Sequence, residues 1–186
     1  MSDITAALRK LSRYKLLVGI PQANDARPDD KTQFGNAAIG YVMEFGAPES
    51  NVPARPSLVP GVEDARDAIT TAFEHALKAA LEGDFGRAEQ NLNIAGTKAV
   101  ASVIAKIAAG VPPPLKAATV AARARRSKGS SYRRKATAAD QRAYNQQWET
   151  EHMFSGAQGL SGSPTTPYWD TGDFVRAHTY VIEKPN

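Results

Sequence analysis

The 186 residues include no cysteine and sum to a net charge of +4, which excludes disulfides, thiolate metal sites and a cysteine nucleophile. A hydrophobic content of 42% is close to the globular norm and sets the chain apart from disordered sequences. The length suits one medium domain that buries its own core, with room for an appended arm.

The first fifteen residues lack the apolar stretch of a signal peptide, and no apolar run approaches the ~18–20 residues that cross a bilayer. The expected setting is therefore the cytosol, with no membrane contact. Asp3 is placed to cap a short helix whose apolar positions are Ile4, Ala7, Leu8 and Leu11. Tyr14 to Ile20, closed by Pro21, reads as a strand. Gln22 to Gly35 is polar and reads as a loop. Ala37 to Phe45 is apolar throughout, so its periodicity leaves strand and short helix both open. Gly46 breaks it. Four prolines between Pro48 and Pro60 should hold the following stretch extended.

A long helix is expected from Pro60-Gly61 to about Leu81, with Val62, Ala65, Ile69, Phe73, Ala76 and Ala80 as its apolar stripe. A second runs from Phe85 to about Ala109, with Leu92, Ala95, Gly96, Ala99, Val103 and Ile107 on one face. Gly96 inside it suggests close helix packing. Gly110 and the three prolines after it end this helix. Phe154 to Pro167 is a Gly/Ser/Thr/Pro segment, expected to be a loop. Phe174 to Glu183 reads as a turn and a final strand.

Charge is unevenly spread. Lys116, Arg123, Arg125, Arg126, Lys128, Arg133, Arg134 and Lys135 lie in a window without acids, so that window is +8 and the remainder of the chain −4. Such a window is either a solvated strip or a contact for a polyanion or an acidic protein surface.

Chemistry is sparse. His75, His152 and His178 are far apart and in no zinc-binding spacing. The glycines from 156 to 162 lack the strand, lysine and helix of a phosphate loop. Asp170, Thr171 and Gly172 are the makings of an Asx-turn or helix cap. No catalytic group, cofactor or metal site is expected.

Several blocks follow one another in order: V-G-I at 18–20, N-A-A-I-G-Y-V-M-E-F-G at 36–46, P-A-R-P-S-L at 53–58, P-P-L-K at 113–116 and W-D-T-G-D-F at 169–174. In this order they resemble the neck, tail-completion or head–tail joining proteins of long-tailed bacteriophages, over residues 14–118 and 168–182. On that resemblance Glu44, Phe45 and Gly46 match the family's E-F-G turn, and Pro53, Arg55, Pro56 and Leu58 its P-x-R-P-x-L block. Leu115 and Thr119 match its P-L-x-x-x-T positions, and Asp170, Thr171 and Gly172 its D-T-G block. Ser57 stands where the family often has an aromatic residue. The segment between Thr119 and Tyr168 is longer and more basic than the resemblance leads one to expect.

The resemblance implies a virion structural protein forming a neck ring of six or twelve copies, assembled in the host cytoplasm. Its neighbours would be portal or connector proteins and a tail terminator. The resemblance does not account for Arg123, Arg125, Arg126, Lys128, Arg133, Arg134 and Lys135, whose charge marks a contact either with packaged DNA or with a partner protein. Glu44, Phe45, Gly46, Pro53, Arg55, Pro56 and Leu58 are then the expected subunit or partner interface. Arg55 offers a planar donor fork to a carboxylate across that interface; alternatively it closes a loop within the chain. The expected architecture is α+β: a small, mostly antiparallel sheet containing residues 14–20 and 174–182 with two long helices packed on it. Residues 1–119 and 168–186 would form one domain, and 120–167 an inserted, flexible, basic and Gly/Ser-rich arm. The alternative function is nucleic-acid binding through residues 116–135.

Overall fold

The structure is a computed structural model and describes residues 2–26, 34–120 and 173–184. It is an α+β arrangement whose centre is one long helix. In chain order the elements are α1 (Ser2–Leu11), β1 (Lys15–Gly19), α2 (Asn36–Phe45), α3 (Leu58–Asp64), α4 (Arg66–Leu81), α5 (Phe85–Ala108), α6 (Asp173–Ala177) and β2 (Thr179–Glu183).

Alpha5 organises the rest. Ala88, Leu92, Ala95, Gly96, Ala99, Val103 and Ile107 recur every three or four residues and are all buried. Asp84 starts the helix, its carboxylate accepting the Arg87 N–H at 2.8 Å. Its first half packs on α4, where Ala76, Ala79 and Ala80 meet Ala88 and Leu92. Its second half meets Phe174 and Val175 of α6 through Val103 and Ile107. Full burial of side chains such as Val103 and Ile107 contributes ~1.5–3 kcal/mol each.

The sheet has two antiparallel strands, in register from Lys15 opposite Glu183 to Gly19 opposite Thr179. A two-stranded ribbon needs a packed face to persist. Here α5 supplies it: a Cβ at Gly96 would collide with the Tyr180 ring, so the absent side chain is what lets β2 lie against the helix. The Tyr180 hydroxyl then donates to Asn93 Oδ1 at 3.0 Å. The tight approach expected at Gly96 is thus to a strand aromatic and not to another helix.

The structure decides one open reading and revises others. Residues 37–45 are helical. The helix expected from Pro60 to Leu81 is two helices that begin at Leu58 and break at Ala65 (φ −94°, ψ 4°). Phe73 of its expected stripe is 41% exposed, while Ala72, Ala76, Ala79 and Ala80 face inward; the alanine-lined approach of α4 to α5 turns the small residues into the interface. Residues 174–177 belong to a helical turn, with Phe174, Val175 and Ala177 buried, so the strand starts at Thr179. The prolines also divide: Pro48 opens a 3₁₀ turn, Pro60 sits inside α3, and only Pro53 and Pro56 lie in a segment without helix or strand. The basic residues from Arg123 to Lys135, the rest of the expected arm to residue 167, and Asp170, Thr171 and Gly172 lie outside the described residues.

Candidate interaction site

Alpha2 is set in place from both ends. At its start the Asp25 carboxylate accepts the Ala37 N–H at 2.7 Å, and Asn36 Nδ2 donates to the Asn24 carbonyl at 3.0 Å. Asn24 in turn donates through Nδ2 to the Ala177 carbonyl at 3.3 Å, which ties this corner to α6.

At its end, Glu44 serves the next helix. Its Oε2 accepts the N–H groups of Ser57 at 2.8 Å and Leu58 at 3.0 Å, and its Oε1 accepts that of Val59 at 3.0 Å. Pro60 has no N–H to satisfy, and the Gly61 N–H returns to the Ser57 carbonyl at 3.0 Å. The free donors of the first turn of α3 are therefore all accounted for. A carboxylate at a helix N-terminus also gains from the helix dipole. This is why α3 can start before Pro60 with no capping bond from its own Ser57 side chain.

For Glu44 to reach Ser57 the chain must double back, and Gly46 makes the bend. Its φ is +77°, and a Cβ there would lie 2.8 Å from the Ala54 backbone nitrogen. Residues 47–52 then form a small closed loop, with Ala47 bridging Val52 and Asn51 in the left-handed region at φ 56°. Arg55 locks the returning segment. Its backbone N–H donates to the Met43 carbonyl at 2.6 Å. Its guanidinium donates through Nε to the Pro113 carbonyl at 2.7 Å and through a terminal nitrogen to that of Pro114 at 3.3 Å. Arg55 is 5% exposed, so its fork is spent inside the chain and closes a loop there.

What these anchors present is a bare apolar surface. Tyr41 and Phe45, one turn apart, place their ring centroids 4.8 Å from each other and are 67% and 64% exposed. Val59 beside them is 59% exposed, and Phe34 ahead of α2 is 65% exposed. Between them lie Ala37, Ala38 and Val42. Of the ten residues of α2, only Asn36 and Glu44 are polar; the first is buried and the second is engaged with α3. Two hollows flank the helix. One, of about 260 Å³, has Gly40, Tyr41, Phe45, Leu58 and Phe174 among its walls, with His178 at its base. The other, of about 320 Å³, is lined by Phe34, Ala38, Ile39, Val42 and Met43.

His178 is 7% exposed. Its Nδ1 donates to the Phe174 carbonyl at 2.9 Å, and its ring stands edge-on to Phe174 at 4.7 Å. Burial pushes its pKa below the ordinary value; bonds to the backbone of Phe174 and Val175 and the nearby Glu44 charge oppose this without cancelling it.

The chain matches no known protein family, no curated protein and no solved structure.

The structure brings Glu44, Phe45, Gly46, Arg55 and Leu58 together, and adds the Pro113-Pro114 backbone. Pro53 and Pro56 are exposed on the returning segment, and Leu58 packs against the core cluster around Val103. Leu115 is half-buried and Thr119 exposed. The sequence gives no local sign of Tyr41, Val59, Phe174 and His178 as neighbours, because Phe174 and His178 lie over a hundred residues beyond α2. Among the described residues no group of three or more His, Cys, Asp or Glu side chains gathers, and no helix is long and apolar enough to cross a membrane. The surface is suited to covering by another apolar surface, since Asn36 is buried and the Glu44 carboxylate is bonded to α3.

Proposed function

We propose that this chain is a structural subunit of a phage virion. It forms a ring in the neck and joins the DNA-filled head, at its portal and connector, to the tail. The observation that carries the reading is the convergence of separate blocks on one surface. The E-F-G, P-x-R-P-x-L and P-P-L-K blocks are held together by Glu44 and Arg55, and Phe174 lines the hollow beside them. These blocks carry the resemblance to neck proteins. A motif spent on shaping an exposed apolar face, with no cluster of three or more His, Cys, Asp or Glu side chains among the described residues, fits assembly better than chemistry.

The deciding experiment is electron microscopy of lysates from a phage lacking the gene. Filled heads and complete tails lying unjoined are expected; intact, normally tailed virions overturn the neck reading.

The +8 window from Lys116 to Lys135 favours a second reading, binding to nucleic acid. DNA affinity of the isolated protein that falls steeply with salt supports it, and salt-independent or absent binding removes it.

A further inference from the structure

We propose that the open face of α2 in one copy of the chain is covered by the Phe73–Leu77–Leu81 stripe of α4 in the next copy, head to tail. The inference rests on the ring reading only for the closure of the contacts into a circle.

A helix that is apolar on all sides belongs in a protein interior. Alpha2 is such a helix, yet Ala37, Ala38, Tyr41 and Phe45 are exposed. Phe34, Tyr41, Phe45 and Val59 together expose on the order of 500 Å², the size of patch that on a monomer often serves an interaction and more than half of the ~800 Å² one partner gives to a standard interface.

The chain carries a second uncovered stripe that fits it. Phe73, Leu77 and Leu81 follow one another at four-residue steps on α4 and are 41%, 37% and 44% exposed. They run ~12 Å along the helix, against ~15 Å for α2. Alpha4 packs on α1 and α5, whereas α2 packs on α6, so the two stripes belong to different parts of the fold. The α4 stripe is a ridge of large side chains. Alpha2 offers Ala37 and Ala38 in its first turn, ahead of the Tyr41 and Phe45 rings, and a hollow on each side into which a ridge can seat. Pairing α2 with itself would leave the α4 stripe open; one head-to-tail contact covers both. A contact between two unlike patches repeats around an axis and closes a ring when the rotation allows.

The test is the mass of the purified full chain in solution, by sedimentation or light scattering. The wild type should assemble. Phe45→Glu and Leu77→Glu should each weaken association at least ~30-fold with unchanged circular dichroism. Mixed one to one, they should form dimers and nothing larger, since each retains one intact patch. Should either variant fold poorly, cross-linking decides. The chain has no cysteine of its own, so Ala38→Cys mixed with Lys78→Cys should give a disulfide-linked dimer that neither gives alone. A wild type that stays monomeric at all concentrations overturns the proposal. So does Leu77→Glu assembling like wild type, and so does Ala38→Cys cross-linking with itself, which marks α2-to-α2 pairing. Unjoined heads and tails in the gene-deleted phage alongside any of these leave the neck reading standing and remove only this contact.

Discussion

The carboxylate of Glu44 accepts the Ser57 N–H at 2.8 Å, so the last turn of one helix caps the next helix 13 residues on. The bond fixes the angle between α2 and α3 and with it the position of Val59 beside Phe45. Replacing Glu44 with alanine strands three N–H donors and should cost ~2 kcal/mol. Glu44→Gln retains an acceptor without the charge and should cost about half of that. Urea unfolding of the three proteins measures it, and equal midpoints would show that solvent caps α3 equally well.

Arg55 should be a stability residue of the single subunit. It is buried, and its fork holds two successive carbonyls. Arg55→Ala should lower unfolding free energy by ~2 kcal/mol or more. Arg55→Lys keeps the charge but not the planar fork, and should recover less than half. Thermal unfolding at low protein concentration separates this from any effect on association.

Gly61 should reject a methyl group. A Cβ there would lie 2.7 Å from the Val103 Cα, a backbone atom of α5 that cannot step aside. Gly61→Ala should therefore destabilise by ~1–3 kcal/mol in spite of alanine's better helix propensity. Denaturant unfolding that leaves the midpoint unmoved or raises it would count against this packing.

His178 should make the protein less stable in mild acid. Its folded pKa is lowered from an ordinary 6.5 by burial, so the unfolded chain takes up the proton first. The stability that its neutral form provides is full above about pH 7, begins to be lost as pH falls through 6.5, and stops falling below the folded pKa. A variant such as His178→Asn should be less stable at neutral pH but show a flatter profile between about pH 7.5 and 5.5. Parallel profiles for the two proteins would rule His178 out as the source.

Much of the fold is legible where burial follows a simple period. The buried stripe of α5 is the one that the spacing of Leu92 to Ile107 predicts, and the strand ending at Gly19 needs only its apolar run and Pro21. Alpha2 is ambiguous in sequence for the same reason that it is interesting in structure: a helix apolar on every side has no period. The start of α3 is hidden because its cap comes from Glu44, thirteen residues away, and not from an adjacent side chain. Phe73 is misplaced because a stripe rule favours large apolar residues, while the contact between α4 and α5 is made of alanines. The site shows the same division. Glu44, Gly46 and Arg55 stand out by their pattern, but their roles are hydrogen bonds within the chain. Tyr41 and Val59 become neighbours only once α2 and α3 are folded against each other.

The pairing of β1 with β2 sets a timetable for folding. Gly19 and Thr179 are partners 160 positions apart, so on a ribosome β1 waits unpaired while the intervening chain is made, for roughly 10–30 s at bacterial rates. Alpha4 and α5, joined by a three-residue turn, have partners at hand throughout. The helical hairpin is thus available as a template, and the side of α5 around Gly96 stays vacant until Tyr180 emerges to fill it. A nascent chain stalled before residue 179 should expose that groove, together with an unpaired strand, to any chaperone that reads apolar surface.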